Sequence, residues 1–273
     1  MVTTLSQIRT LIYELFLVEI LDLIIFFLSC YPMKKIFLLL CLSFLGCKSY
    51  YQVSDSKSQY YLTDVSLEPD SEIEEIIDPY RDQLNSKMNT IIGISETELT
   101  KAKPESTLGN FVADAILFAA KKRYEGTVDF SLPNYGGMRV PYIKAGEISL
   151  GNIFELMPFD NKLVIVHLDG ALVKELLDHA CNLGGWPISK GVEIKLDTLN
   201  KQHEYKINGK SLDLKSKYAF CVSDYIANGG DNCSFLKTKE REDLDLLFRD
   251  ALIEYVREKK IISVNLEERT TYK

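Results

Sequence analysis

From Asp70 onward the chain predicts an α+β domain built on a mixed β-sheet with packed helices. Three observations carry this. Helical and strand-like periods are interleaved without strict alternation, the Asn208-Gly209 pair is a hairpin signal between strand-like runs, and roughly 200 residues suffice for one full core.

Asp70-Ser71 opens a helical pattern with Ile73, Ile76, Ile77, Tyr80, Leu84 and Met88 on one face. Pro79 interrupts it: either the helix kinks there, or Asp78 caps a fresh helix with Pro79 at its first position. Residues 90–94 are a short β-type run. Ser106 or Thr107 caps the next helix, whose buried stripe is Leu108, Val112, Ala115, Ile116 and Ala119. Residues 128–132 read as a strand that Pro133 ends, and residues 149–156 as a short helix. Residues 162–168 alternate as a strand. A helix over 170–183 follows, turning Leu172, Val173, Leu176, Leu177 and Ala180 inward. Residues 191–196 and 205–207 are strands, and Asn208-Gly209 returns the chain through Leu212 and Leu214. Residues 218–223 form a final strand. A last amphipathic helix is predicted from about 243 to 258, with Leu244, Leu247, Ala251 and Val256 apolar.

The front of the chain does not read as globular. Residues 11–30 are largely apolar but carry Glu14, Glu19 and Asp22, which are costly at a bilayer centre. A second start follows: Met33-Lys34-Lys35 is positive, residues 36–45 are apolar, and Gly46-Cys47 closes the segment. Such a charged start, short apolar run and small residue describe a secretory signal. A membrane span needs about 20 apolar residues. Phe44-Leu45-Gly46-Cys47 resembles a bacterial lipobox, which implies acylation of Cys47 and a lipoprotein exported to the periplasm or outer membrane. The competing reading makes 11–28 and 36–45 two membrane segments. On the first reading residues 1–46 are leader, with 1–32 an overlong start. Residues 47–69, polar and rich in Ser, Asp, Lys and Tyr, are a tether. Residues 70–273 are then the domain.

The formal charge of −7 argues against a nucleic-acid partner, because a duplex binder needs a basic face. Of six cysteines, Cys30 and Cys41 leave with the leader and Cys47 is acylated. Cys181, Cys221 and Cys233 remain, without metal-ligand spacing, and burial as small hydrophobes is preferred to a disulfide.

Three stretches carry chemistry: Asn134-Tyr135-Gly136-Gly137-Met138-Arg139, Pro158-Phe159-Asp160-Asn161 and Tyr225-Ile226-Ala227-Asn228-Gly229-Gly230-Asp231. Each joins a turn former to a residue able to hold part of a nucleotide. With Glu105-Ser106-Thr107-Leu108-Gly109-Asn110 and Asp114 upstream, this order resembles the C-terminal, substrate-binding domain of bacterial 5′-nucleotidases and UDP-sugar hydrolases. The resemblance runs from about residue 70 to 260. It implies that Phe159 and Tyr225 sandwich a nucleobase, where stacking is worth about 1–3 kcal/mol per base. It further implies that Asn161 makes a polar contact beside the base. Asp231 accepts hydrogen bonds from ribose hydroxyls, and Arg139 grips phosphate or another acidic group. Lys101 and Lys103 stand where close relatives carry arginines that also bind the ligand, and Asn232-Cys233 replaces the more usual glycine and aromatic.

Catalysis in that family belongs to an N-terminal metallophosphatase domain, whose Asp, His and Asn residues hold two metal ions. His167, His179 and His203 here belong to no Asp-x-His or Gly-Asn-His motif. The expectation is therefore no cofactor on this chain, with divalent metals on a metallophosphatase partner acting in trans. The chain would be the nucleotide- or nucleoside-binding half of a split 5′-nucleotidase. The alternatives are a stand-alone nucleotide-binding lipoprotein, and a gene fragment that kept its fold without its role.

Overall fold

The computed structural model describes residues 70–200 and 202–273. The leader, Cys47 and the tether lie outside the described residues. Asp70 caps helix α1 (Ser71–Met88) by accepting from the backbone N–H groups of Glu72 and Ile73. The helix runs through Pro79 as one element. Its apolar face is not buried: Ile73, Ile76, Ile77, Tyr80 and Leu84 are all exposed.

Strands β1 (Ile91–Ser95) and β2 (Leu99–Thr100) lead to helix α2 (Thr107–Arg123). Ser106 is its cap, with Oγ accepting from Gly109 N at 3.0 Å, and the whole predicted stripe is buried. Gly109 is required there, since a Cβ would meet Ser106 Oγ at 2.8 Å and the Pro187 ring at 3.2 Å. Strands β3 (Phe130–Ser131), β4 (Tyr142–Ile143) and β5 (Gly146–Ser149) follow. Helix α3 (Leu150–Leu156) opens with a reciprocal capping box between Ser149 and Asn152.

Strand β6 (Lys162–Asp169) and helix α4 (Gly170–Asn182) come next, then β7 (Val192–Leu196), β8 (Glu204–Ile207) and β9 (Lys210–Ser211). Asn208 and Gly209, at φ 52° and 76°, make the β8–β9 turn, the two positive angles of a type I′ hairpin. The chain continues through β10 (Lys217–Ser223), the short α5 (Asp224–Ala227), β11 (Arg241–Leu247), α6 (Phe248–Lys259), β12 (Ile261–Ile262) and β13 (Thr270–Tyr272).

The central sheet has the order β11-β6-β10-β3, with β10 parallel to β3 and antiparallel to β6. Side chains alternate across a strand, and β6 divides the core accordingly. Leu163 and Ile165 join Cys221 of β10 on the face packed by α2 and α6. Val164, Val166 and Leu168 join Phe220 and Val222 on the face packed by α4, β7 and β8. Burial on both faces explains why β6 is apolar nearly throughout. Smaller sheets, β12-β1-β5, β13-β7-β8-β9 and β2-β4, complete a mixed α+β fold.

One expected helix is corrected. The helix predicted from residue 243 begins at Phe248, and Arg241–Leu247 is instead strand β11 on the open edge of β6. Leu244 and Leu246 pack on the core at a period of two, whereas Leu244 and Leu247 imitate a helical step. The vacant edge of β6 decides, because it offers backbone partners that a helix would leave unpaired.

A segment of the C-terminus closes the fold through Arg269, which is 4% exposed. Its guanidinium grips Asp114 with two bonds of 2.7 and 2.8 Å, binds Glu267 at 2.8 Å, and donates to the Ile188 carbonyl at 2.9 Å. Burial alone would lower its pKa, but pairing with Asp114 and Glu267 raises it on balance. Glu105 secures the same segment by accepting from Glu267 N at 2.9 Å and from the Asn110 side chain at 2.7 Å.

Cys181, Cys221 and Cys233 are buried free thiols. Burial pushes Cys181 and Cys233 up from 9.0 to about 11, and Cys221 upward as well. These shifts favour the folded state below the unfolded thiol pKa and cease to do so as pH rises through the folded values. Alkylation with peptide mapping should therefore find all three protected at pH 7 until denaturant is added. The contribution of Cys181 and Cys233 to stability should fall between about pH 9 and 11.

Candidate functional site

All three motif loops meet at one end of the central sheet, for a topological reason. Because β3 and β10 are parallel, the loops after them leave at the same edge, and antiparallel β6 begins there. The loop after β3 carries the Asn134–Arg139 motif, the loop before β6 carries Phe159 and Asn161, and β10 runs into α5 and the Tyr225–Asp231 motif.

The loops enclose a cleft of about 290 Å³ lined by Asn134, Gly136, Gly137, Arg139, Phe159, Asn161, Tyr225 and Asp231. All five binding residues expected from the sequence thus share one cavity. Phe159 and Tyr225 are each 45% exposed, which leaves ring surface free in the cleft. Arg139 lies 5.6 Å from the Phe159 ring centroid and donates to the Gly136 carbonyl at 3.3 Å. Asn161 is fixed by its backbone, whose carbonyl accepts from Phe248 N at 2.8 Å. Among the described residues, neither Arg139 nor Lys101 nor Lys103 forms an ion pair. The two lysines crowd Tyr135, with ammonium groups 4.2 and 4.6 Å from its ring centroid. Lys101 donates to the Met138 carbonyl at 2.6 Å, and its pKa is lowered by burial first and then by Arg139 and Lys103. An anion at this rim would relieve that repulsion.

Asp231 is the most constrained residue of the site. It sits at φ 47° and is followed by Asn232 at φ 66°, left-handed values that Asp and Asn tolerate better than most side chains. Its Oδ2 accepts from Asn134 Nδ2 at 2.8 Å, and its Oδ1 accepts from the Tyr225 hydroxyl at 2.9 Å.

Three further residues contribute to the site without a clear signal in the sequence. Asn134 is buried and lines the cleft, and its only signal was its place at the head of the first motif. His179 on α4 reaches the Asp231 carbonyl at 2.7 Å; facing a carbonyl, its Nε2 carries the proton. Arg249 on α6 pairs with Asp160 at 2.8 Å and stacks on Phe154 at 4.3 Å, which holds the second loop in place. Neither His179 nor Arg249 lies in a recognisable motif, so only the fold reveals them.

The histidines lie in different settings. His167 approaches Tyr124 and Glu242, and His203 accepts from Asp197 N at 3.1 Å. Among the described residues, no group of three or more His, Cys, Asp or Glu could hold a metal. Nor is any helix among them long and apolar enough to cross a membrane.

The family model for the 5′-nucleotidase C-terminal domain matches residues 86–238, a span that contains every cleft residue. The chain belongs to this family. Among curated relatives, the 5′-nucleotidase of Vibrio vulnificus is 30% identical over 188 residues, covering 65% of this chain and 32% of that protein. The trifunctional nucleotide phosphoesterase protein YfkN of Bacillus subtilis is 27% identical over 218 residues, covering 72% of this chain and 15% of the relative. The chain therefore spans less than a third of either relative's length. Among solved structures, the 5′-nucleotidase precursor of Thermus thermophilus superposes with a TM-score of 0.64 at 26% identity, over 73% of this chain and 42% of that one. As a 5′-nucleotidase C-terminal domain, the chain has its three motif loops and strands β3, β6 and β10 of the central sheet within the matched region. Arg269 and β13 lie beyond it.

Proposed function

We propose that this protein is the nucleotide- or nucleoside-binding half of a split 5′-nucleotidase. A separate metallophosphatase chain would hydrolyse the phosphate ester and so contribute to nucleotide catabolism. The observation that carries the reading is the single cleft in which Arg139, Phe159, Asn161, Tyr225 and Asp231 converge. Phe159 and Tyr225 stack on the base, a contact that tolerates any base because each has a π-face. Asn161 meets its polar edge, Asp231 takes the ribose hydroxyls, and Arg139 pairs with phosphate, which suits its planar fork of donors. Divalent metals sit on the partner, where they activate water and clamp phosphoryl oxygens. Residues 33–47 support export and a lipid anchor on Cys47 at a periplasmic or outer-membrane surface.

A second reading is a stand-alone nucleotide-capturing lipoprotein. It is favoured by the cleft's drawing its aromatic, acidic and cationic groups all from this chain. One experiment separates the two. The purified protein should not hydrolyse AMP or UDP-glucose above background with magnesium, manganese or zinc. A pull-down from native membranes should co-isolate a phosphatase that does. Capture of nucleotide without any co-isolated phosphatase favours the second reading. Metal-dependent turnover by the purified chain alone contradicts both.

A further inference from the structure

We infer that Tyr225 has two tasks, and that the second sets sugar specificity. Its ring offers a stacking face, while its hydroxyl, together with the Asn134 amide, aims the Asp231 carboxylate at a vicinal diol. Tyr225 and Asn134 are then positioning residues that favour ribosides over 2′-deoxyribosides. The inference rests on the nucleoside-binding reading above and extends it to residues that touch the sugar only through Asp231.

Asp231 is held from several sides, and each of its polar atoms has a partner. The backbone N–H donates to the Tyr225 hydroxyl oxygen at 3.2 Å, and the carbonyl accepts from His179 at 2.7 Å. Oδ1 accepts the Tyr225 hydroxyl proton at 2.9 Å, and Oδ2 accepts from Asn134 at 2.8 Å. These partners come from α4, α5 and the loop after β3. Together they hold a residue whose left-handed backbone is costly by itself.

Terminal rotation of an aspartate carboxylate is broad when nothing fixes it. Here a donor on each oxygen fixes the plane. An ionised carboxylate has about four acceptor sites, so one site remains on each oxygen after Tyr225 and Asn134 have taken theirs. Two hydroxyls on adjacent ribose carbons can use both remaining sites, and a 2′-deoxyribose can use only one. Gly230 makes the arrangement possible: a Cβ there would lie 2.4–2.6 Å from Tyr225 ring atoms and push the ring away from Asp231.

The test is calorimetric titration of the full-length protein with adenosine, 2′-deoxyadenosine, uridine and 2′-deoxyuridine. The parent should prefer each riboside. Tyr225→Phe keeps the ring and loses the hydroxyl, and should cut the riboside-to-deoxyriboside affinity ratio about fivefold, the order of one net hydrogen bond. Asn134→Ala should lower the same ratio from the other carboxylate oxygen. A Tyr225→Phe variant whose affinities for both sugars shift equally overturns the inference, because a merely structural role moves them together. If thermal unfolding shows that this variant does not fold, Asn134→Ala decides in the same way. A parent that binds none of the four removes the nucleoside reading itself, and this inference with it.

Discussion

Phe220→Ala is expected to destabilise the domain by about 3–5 kcal/mol, the usual cost of deleting a buried aromatic ring that neighbours cannot replace. Phe220 on β10 and Phe130 on β3 are both fully buried, and their rings stack at 5.0 Å between centroids and 3° between planes. The two residues are register partners in the parallel pair β3–β10. Both strands run directly into cleft loops, so the cavity loosens the Asn134 loop and the Tyr225 loop together. Urea unfolding should show a lower midpoint, and nucleoside affinity should fall as well. Phe220→Leu, which retains much of the volume, should lose far less of either.

Arg269→Ala is expected to cost about 3 kcal/mol, near the low end for breaking a buried ion pair from one side. The low end applies because the stranded Asp114 side chain is 25% exposed and Glu267 35%, so water reaches both. The loss also leaves the Ile188 carbonyl without its guanidinium donor. Arg269→Lys keeps the charge but not the two-pronged grip on Asp114, and should fall between parent and alanine variant. A double variant, Asp114→Leu with Arg269→Met, should recover part of the loss, since no unpaired charge is then buried. Equal unfolding midpoints for parent and Arg269→Ala would show that β13 is not secured by this network.

Local patterns made most of the fold legible from the sequence alone. The stripe of α2 and the capping serine at 106 are short-range features, as is the Asn208-Gly209 turn. Strand β11 was not legible in the same way. Leu244, Leu246 and Leu247 satisfy both a helical and a strand period, and only the free edge of β6 selects the strand. Strand β13 escaped for a related reason. It pairs with β7 some 75 positions upstream in the chain, as in Thr270 with Ile194, through a network that no local pattern announces. Helix α1 was legible as a helix, but the exposure of its apolar face was not.

The site followed the same division. Arg139, Phe159, Asn161, Tyr225 and Asp231 were readable because each lies in a motif, and the topology of β3, β6 and β10 brings the motifs to one cleft. Their supports were not readable. Asn134, His179 and Arg249 act on residues in other loops, at separations of 97, 52 and 89 positions. Such pairings are decided by the fold and not by spacing along the chain.

The central claim, that the cleft binds a nucleoside or nucleotide, is tested most directly by calorimetric titration of the parent and four variants with adenine, adenosine and AMP. Binding by the parent is predicted, with Phe159→Ala and Tyr225→Ala each costing about 1–3 kcal/mol, the range for one base–aromatic stack. Asp231→Ala should weaken adenosine more than adenine, because it removes the acceptor for the sugar hydroxyls. Arg139→Ala should weaken AMP more than adenosine, because the charge it pairs with lies on phosphate. Four variants that all titrate like the parent would contradict the account and leave the cleft without its ligand.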